Sequence, residues 1–328
     1  MSARKRVVSG IQSSGKLHLG NFLGAMKQHL DDQHVHECFI FIANYHSLTS
    51  VTDAARLREL TQDVALDYLA LGLDPKLATL FRQSDVPDVC ELTWILATVT
   101  GKGLLERATS YKDKVARGVP ASMGLFAYPL LMAADILIYR ADLVPVGKDQ
   151  LQHVEMTQDI ATHFNTTYGA QVLARPEAKL NDAPIVPGLD GQKMSKSYGN
   201  TIDLFDEPAA AKKRIMSIKT DSAPVEAPKD EETCNIFSMY RHLVPTQEAE
   251  AMASRYRAGG LGYGEAKKAL LDVFERTFGP ARERRRELAA RPHEVEDILR
   301  DGGLRARGAA AEVMERVRAA CGIVRSKA

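Results

Sequence analysis

Two short loops carry residue types that can handle a polyphosphate. The first, Gly10-Ile11-Gln12-Ser13-Ser14-Gly15-Lys16-Leu17-His18-Leu19-Gly20-Asn21, lies between an apolar β-prone run and an amphipathic stretch. A polar, glycine-containing loop at a helix start offers unpaired backbone N–H groups and the positive end of the helix dipole, which suits phosphate. Gly20 permits close approach of a flat ring. His18 can add a positive or a hydrogen-bonding contact to a phosphate whose charge grows in the transition state. The second loop, Lys193-Met194-Ser195-Lys196-Ser197, is announced by the turn signals Pro187-Gly188 and Asp190-Gly191. Two lysines three apart on a loop can clamp a polyphosphate. A loop histidine or a lysine pair is ordinarily plain surface; the information lies in finding both loops, in this order, in one chain.

A third set lies on the helix expected over 122–137. Tyr128, Met132 and Asp135 fall at i, i+4 and i+7 and share one helix face. That face presents an aromatic ring, a deformable thioether and a lone carboxylate, which together suit a flat apolar side chain bearing one donor. Indole is such a group, a donor only. A carboxylate accepting its N–H is worth about 1.5–3 kcal/mol, and a ligand lacking the donor would leave that charge unpaired. A packed core with Asp135 as a structural hydrogen-bonder fits the same spacing.

These residues need a frame. Val7-Val8 and Cys38 to Ala43 are short and continuously apolar, as strands buried on both faces of a parallel sheet should be. Between them Leu19, Phe22, Leu23, Met26 and Leu30 recur at spacings of three and four, a helical stripe. A second helix is expected from about Asp53 to Leu71, stopping at Gly72, before a strand resumes at Ala78. Leu92, Ile95, Leu96 and Val99 mark another helix, Leu143 to Val146 another strand, and Leu151 to Phe164 the helix after it. Repeated β-α units predict an α/β fold, a doubly wound, Rossmann-like parallel sheet with ligands at the carboxyl ends of its strands.

After about residue 200 the periodicity becomes almost entirely helical, beyond a Pro-rich, acidic segment at 222–232 that reads as a linker. The expected organisation is therefore 1–200 as the catalytic domain and 201–328 as an α-helical C-terminal domain, its last helix able to pack back on the first. Residues 276–328 hold 13 Arg and Lys against 8 Asp and Glu. An anionic partner could land on this end; for Arg282, Arg284, Arg285 and Arg286 a solvated face with ion pairs is an equal reading.

Composition bounds the rest. The 328 residues carry 43 Lys and Arg against 42 Asp and Glu, and 45% are apolar, so disorder and collagen-like repeats are excluded. No apolar run approaches the roughly 18 residues that would cross a bilayer, and no apolar leader comes after the basic start. The expectation is a cytoplasmic protein with no membrane association. Cys38, Cys90, Cys234 and Cys321 form no C-x-x-C pair, against a zinc ribbon and for reduced thiols.

In combination, the two loops resemble those of the class I aminoacyl-tRNA synthetases. Gly10-Ile-Gln-Ser-Ser-Gly15, Tyr128-Pro-Leu-Leu-Met-Ala-Ala-Asp135 and Val144-Pro-Val-Gly-Lys-Asp-Gln-Leu-Gln-His153 are similar to the tryptophanyl-tRNA synthetase forms of these motifs, over residues 7 to about 220. The resemblance implies that Asp135 reads the indole nitrogen, that Gln12 and Gln150 hold the ammonium or carboxylate of tryptophan, and that His46 is the pocket histidine. Val144 and Val146 would supply walls beside Tyr128 and Met132. Gln12, Ser13, Ser14, Gly20 and Asn21 would line the ATP site, with Gly147, Lys148 and Asp149 at the ribose and backbone near Ile185 and Val186 at the adenine. His18 and Gln12 would act in catalysis with Lys193 and Lys196, which hold the pyrophosphate from a loop shared with Met194, Ser195 and Ser197. Four positions depart from the family's pattern: Val8 where an aromatic is frequent, Ser13 for a proline, Asn44 for an acid and Gln158 for an arginine.

The implied reaction is attack of the tryptophan carboxylate on the α-phosphate of ATP, then transfer of the aminoacyl group to the 3′ end of tRNA(Trp). ATP is a substrate that brings Mg2+ with it, and no metal site in the protein is expected. The family also implies a homodimer whose helical region recognises the anticodon, and Lys112, Lys114 and Arg117 could meet the acceptor arm or be plain surface. A tyrosyl-tRNA synthetase is the nearest alternative. Another is a synthetase-like tryptophan-binding protein with reduced tRNA charging.

Overall fold

The computed structural model describes residues 4–13, 15–116, 118, 121–180 and 185–324. Ser14 and Arg117 lie outside that set, as do the side chains of Lys114 and Asp149. The apolar runs become strands β1 (Arg6–Ile11), β2 (Glu37–Ile42), β3 (Ala78–Arg82) and β4 (Leu143–Val146), and a fifth, β5 (Glu177–Leu180), adds an edge. They form one parallel sheet of order β3-β2-β1-β4-β5. The sequence does not announce β5, because its Glu-Ala-Lys-Leu is half polar and only partly buried.

Period-two alternation distributes the strand residues between two cores. Val7, Ile40, Ile42 and Leu80 pack on one face, and Val8, Phe39, Phe41 and Phe81 on the other. Both faces are covered, as a doubly wound sheet requires. The order reverses between β1 and β4, so the crevice for ligands opens at their carboxyl ends.

The helix after β1 departs from the expected stripe at its far end. It begins as α-helix at Leu19–Asn21, widens to a π segment over Phe22–Met26 and closes as α-helix over Lys27–Asp32. Leu19, Phe22, Leu23 and Met26 are buried as expected, but His29 is 1% exposed while Leu30 is only half-buried. A wider turn accommodates an extra residue and rotates the helix beyond it, which brings His29 inward. There its Nδ1 meets the hydroxyl of Tyr68 at 2.7 Å. The next helix, Ala54–Leu71, matches expectation: Asp53 caps it by accepting from Arg56 N–H, and Gly72 ends it at a left-handed φ of 105°.

The C-terminal helices share the first core. Phe274 and Phe278 sit in one cluster with Val7, Leu19 and Ile40, and the last helix, Pro292–Cys321, lies against edge strand β3. Gly302 permits that approach, since a methyl there would fall 1.9 Å from the Leu80 carbonyl oxygen. An uncovered edge strand is thereby protected.

One reading is corrected and one open choice is narrowed. The 222–232 segment is a built loop rather than a spacer: the Lys229 ammonium is buried and donates to the carbonyls of Pro224, Val225 and Ala227. The arginine cluster is committed within the chain. Arg282 pairs with Glu275, Arg284 donates to the Ala70 carbonyl, Arg285 holds Asp63 and Asp67, and Arg286 holds Glu207. Arg284 and Arg285 fasten the helix Tyr263–Ala289 to the helix Ala54–Leu71, Arg286 ties it to Glu207, and Arg282 pairs within the helix itself.

Candidate active site

The two loops meet. Leu19 N–H donates to the Ile202 carbonyl at 2.9 Å and Leu204 N–H to the Leu17 carbonyl at 3.2 Å, which stitches the chain after Lys193–Ser197 onto the loop after β1. Gly20 N–H reaches the sulfur of Met194 at 3.3 Å, and a methyl at Gly15 would lie 3.3 Å from the Lys196 ammonium. Asn21 bonds back through its side-chain oxygen to His18 N–H, closing the start of the helix. Met194 is buried, whereas Lys193, Lys196 and Ser197 remain exposed and Ser195 is half-buried. The Ser195 and Ser197 hydroxyls bond each other at 2.9 Å.

Asn200 organises the second loop and was not singled out in the sequence. It is buried, accepts from Ser195 N–H and donates to Asp190 and the Lys193 carbonyl. Val186 faces inward and takes a bond from Met194 N–H at 2.9 Å, while the side chain of Ile185 is 74% exposed. Ser13 is fully buried and its hydroxyl meets that of Ser47 at 2.9 Å, so the residue packs beneath the loop and does not present itself on its surface.

His18 is buried beside Lys196 and Asp203, and burial, reinforced by the Lys196 charge, lowers its pKa to about 4. Burial and the neighbouring ammonium thus disfavour the charged imidazole, which favours a hydrogen-bonding contact over a charged one. Its Nδ1 has no partner among the described residues. The Lys196 side chain is exposed overall, but partial desolvation of its ammonium lowers it, with Asp203 and Asp67 opposing.

Beside the loops lies a cavity of about 360 Å³ at the switch between β1 and β4. Gln12 contributes from the end of β1, Val144, Val146 and Gly147 from β4, and Gln150 from the turn after it. Tyr128, Met132 and Asp135 line it from the helix Met123–Leu137, so the shared face holds in three dimensions. Lys148 is exposed and is not among the residues that line the cavity. Phe41 is a wall the sequence did not disclose; a methyl at Gly10 would fall 2.4 Å from its ring. Val8, smaller than the aromatic often found there, lines the same space.

Asp135 is buried, and its carboxylate is engaged from two sides. His46 Nε2 lies 2.9 Å from Oδ2, and Gln83 Nε2 donates to both oxygens at 2.8 and 2.9 Å. Burial pushes the carboxyl up while these partners hold it down. Gln83 was missed because a lone glutamine after a strand carries no motif. Tyr128 bonds His153 through its hydroxyl. The departures have local accounts: Asn44 exchanges two hydrogen bonds with Ser84, and Gln158 donates to the Pro176 carbonyl.

The family model for class I tRNA synthetases (W and Y) matches residues 2–279. A tryptophan–tRNA ligase from Fusobacterium nucleatum is 51% identical over 321 residues, covering 98% of each chain. One from Rhodopirellula baltica is 51% identical over 97% of this chain and 99% of its own. A crystal structure of tryptophanyl-tRNA synthetase from Campylobacter jejuni, complexed with ADP and tryptophan, is 47% identical with a TM-score of 0.89, covering 97% of this chain and 99% of that one. On this agreement of fold, loops and sequence, the chain belongs to the class I tRNA synthetases of the tryptophan and tyrosine group.

Proposed function

We propose that this chain is a tryptophan–tRNA ligase that forms tryptophanyl-adenylate from L-tryptophan and ATP and then charges the 3′ end of tRNA(Trp). The observation that carries the reading is a buried carboxylate, Asp135, in the wall of a cavity that opens beside the joined His18 and Lys196 loops. Relatives about half identical over nearly their whole length bear the same activity in their names.

The tryptophan carboxylate is already ionised, so the first step needs alignment and charge stabilisation rather than a general base. The carboxylate oxygen attacks the α-phosphorus in line, and the bond to the bridging oxygen of pyrophosphate breaks. Lys193 and Lys196 support the leaving pyrophosphate together with magnesium brought by ATP, and His18, neutral, donates a hydrogen bond. Gln12 and Gln150 orient the amino acid, and Asp135 accepts the indole N–H. Gly20, Asn21, Gly147, Lys148 and the Val186 backbone hold the nucleotide.

Residues 1–200 carry this chemistry, and the helices of 201–328 read the anticodon. The enzyme works as a cytoplasmic homodimer with tRNA across both subunits. No helix of the described residues is long and apolar enough to cross a membrane. Amino-acid-dependent pyrophosphate exchange tests the reading: exchange with tryptophan and none with tyrosine is expected. Tyrosine-dependent exchange would overturn it, and exchange without tRNA charging would leave only a tryptophan-activating protein.

A further inference from the structure

We infer that Gln83 is a specificity-determining positioning residue: its side-chain amide aims Asp135 so that one carboxylate oxygen is left open for the indole N–H. The inference rests on the proposed role of Asp135 and deepens it.

Gln83 opens the short 3-10 turn Gln83–Asp85 at the carboxyl end of β3 and is 1% exposed. Its Oε1 accepts the backbone N–H of Tyr45 at 3.0 Å. That bond decides which end of the amide faces inward, because a flipped amide would set oxygen against the Asp135 carboxylate and leave Tyr45 N–H unpaired. With Nε2 so directed, Gln83 donates to both carboxylate oxygens, at 2.9 Å to Oδ1 and 2.8 Å to Oδ2. His46 takes a further position on Oδ2 at 2.9 Å. An ionised carboxylate offers about four acceptor directions, two per oxygen. Oδ2 is used twice and Oδ1 once, so the open direction belongs to Oδ1.

The support is stiff. Asn44 and Ser84 bond each other twice, at 2.7 and 3.1 Å, joining the turn that carries Gln83 to the short helix Asn44–Ser47 that carries His46. Behind them the last helix presses through Gly302 on Leu80, in the strand that ends at Arg82, just before Gln83. Gln83 is not among the residues that line the cavity, so its effect passes through Asp135.

The test compares L-tryptophan with 3-(3-benzothienyl)-L-alanine, in which sulfur replaces the indole N–H, by pyrophosphate exchange. In Gln83→Met, KM for tryptophan is expected to rise about tenfold, with kcat and KM for ATP within about twofold of the wild type. The preference for tryptophan over the sulfur analogue should fall about tenfold, a change that loosened packing would not select. Gln83→Leu, which also lacks the donor and adds no titrating group, carries the same test if the methionine variant fails to fold. Wild-type preference in both variants, or parallel losses in kcat and both KM values, would overturn the assignment. Asp135→Asn separates the two layers. If it abolishes the preference while the Gln83 variants keep it, only Gln83 falls; if it leaves the preference intact, the role of Asp135 falls as well.

Discussion

The backbone N–H of Gly20 and the sulfur of Met194, separated by 174 residues of chain, stand 3.3 Å apart. Through this contact the first loop seats the second, since Met194 is the buried anchor of a segment whose lysines stay exposed. A methyl at Gly20 would lie 3.0 Å from His18 Nδ1 and 3.5 Å from Met194 Cβ. Gly20→Ala is therefore expected to displace the His18 ring. Adenylate formation should slow by about a hundredfold, the scale of an ångström-sized misplacement. Single-turnover kinetics with saturating ATP and tryptophan measure it, and an unchanged rate would remove the close approach from the mechanism.

Lys196 faces the first loop at Gly15. Lys196→Ala should lower the rate of adenylate formation by about 10²–10³, as for loss of one transition-state donor, while tryptophan affinity in equilibrium dialysis stays close to that of the wild type. Equal losses in both would place the lysine in tryptophan binding instead.

Among its described hydrogen bonds Asp135 meets His46 and Gln83 and no Lys or Arg. Asp135→Asn should cost tryptophan activation at least tenfold in kcat/KM, on the basis of about 1.5–3 kcal/mol for a hydrogen bond to a charged group. Kinetics equal to those of the wild type would return Asp135 to a structural role.

His29 gives a pH dependence of stability. Burial lowers its pKa from 6.5 to about 4, so the folded protein resists a proton that the unfolded chain accepts. Its contribution is whole above pH 6.5 and shrinks as pH falls toward 4. The slope is about 1.4 kcal/mol per pH unit, so about 2 kcal/mol is lost between pH 6.5 and 5. In urea unfolding at both pH values, His29→Gln should lose less stability than the wild type on acidification. The same loss in both would mean that other groups dominate. Asp67, raised to about 6 by burial, acts in the opposite sense, its contribution falling as pH rises through that region.

The last helix offers a stability test away from the chemistry. Gly302→Ala would drive a methyl to 1.9 Å from the Leu80 carbonyl oxygen, so helix and strand must part. A loss of about 3 kcal/mol is expected, the upper part of the usual overpacking range, read from the urea midpoint. KM for tryptophan should rise with it, because Leu80 lies in the strand that leads to Gln83.

Legibility in the sequence was a matter of range. Tyr128, Met132 and Asp135 share a face because helical periodicity is local, and β1, β2, β3 and β4 were readable because strands buried on both faces are continuously apolar. The polyphosphate loops declared themselves by residue type and order. The resemblance added the roles, but not Gln83, Phe41 or Asn200, whose importance comes from partners far along the chain and from common residue types.

Tertiary structure alone decided the remainder, because it depends on what packs against what. Whether Arg282 to Arg286 meet an anion or a carboxylate depended on where Asp63, Asp67 and Glu207 arrive. His29 turned inward because the π segment changed the helix phase. The charged form of His18 is disfavoured by burial and by the Lys196 charge, which no spacing in the chain records. By itself the sequence determined which groups could do the chemistry; packing determined their charge, their aim and which oxygen of Asp135 stays open.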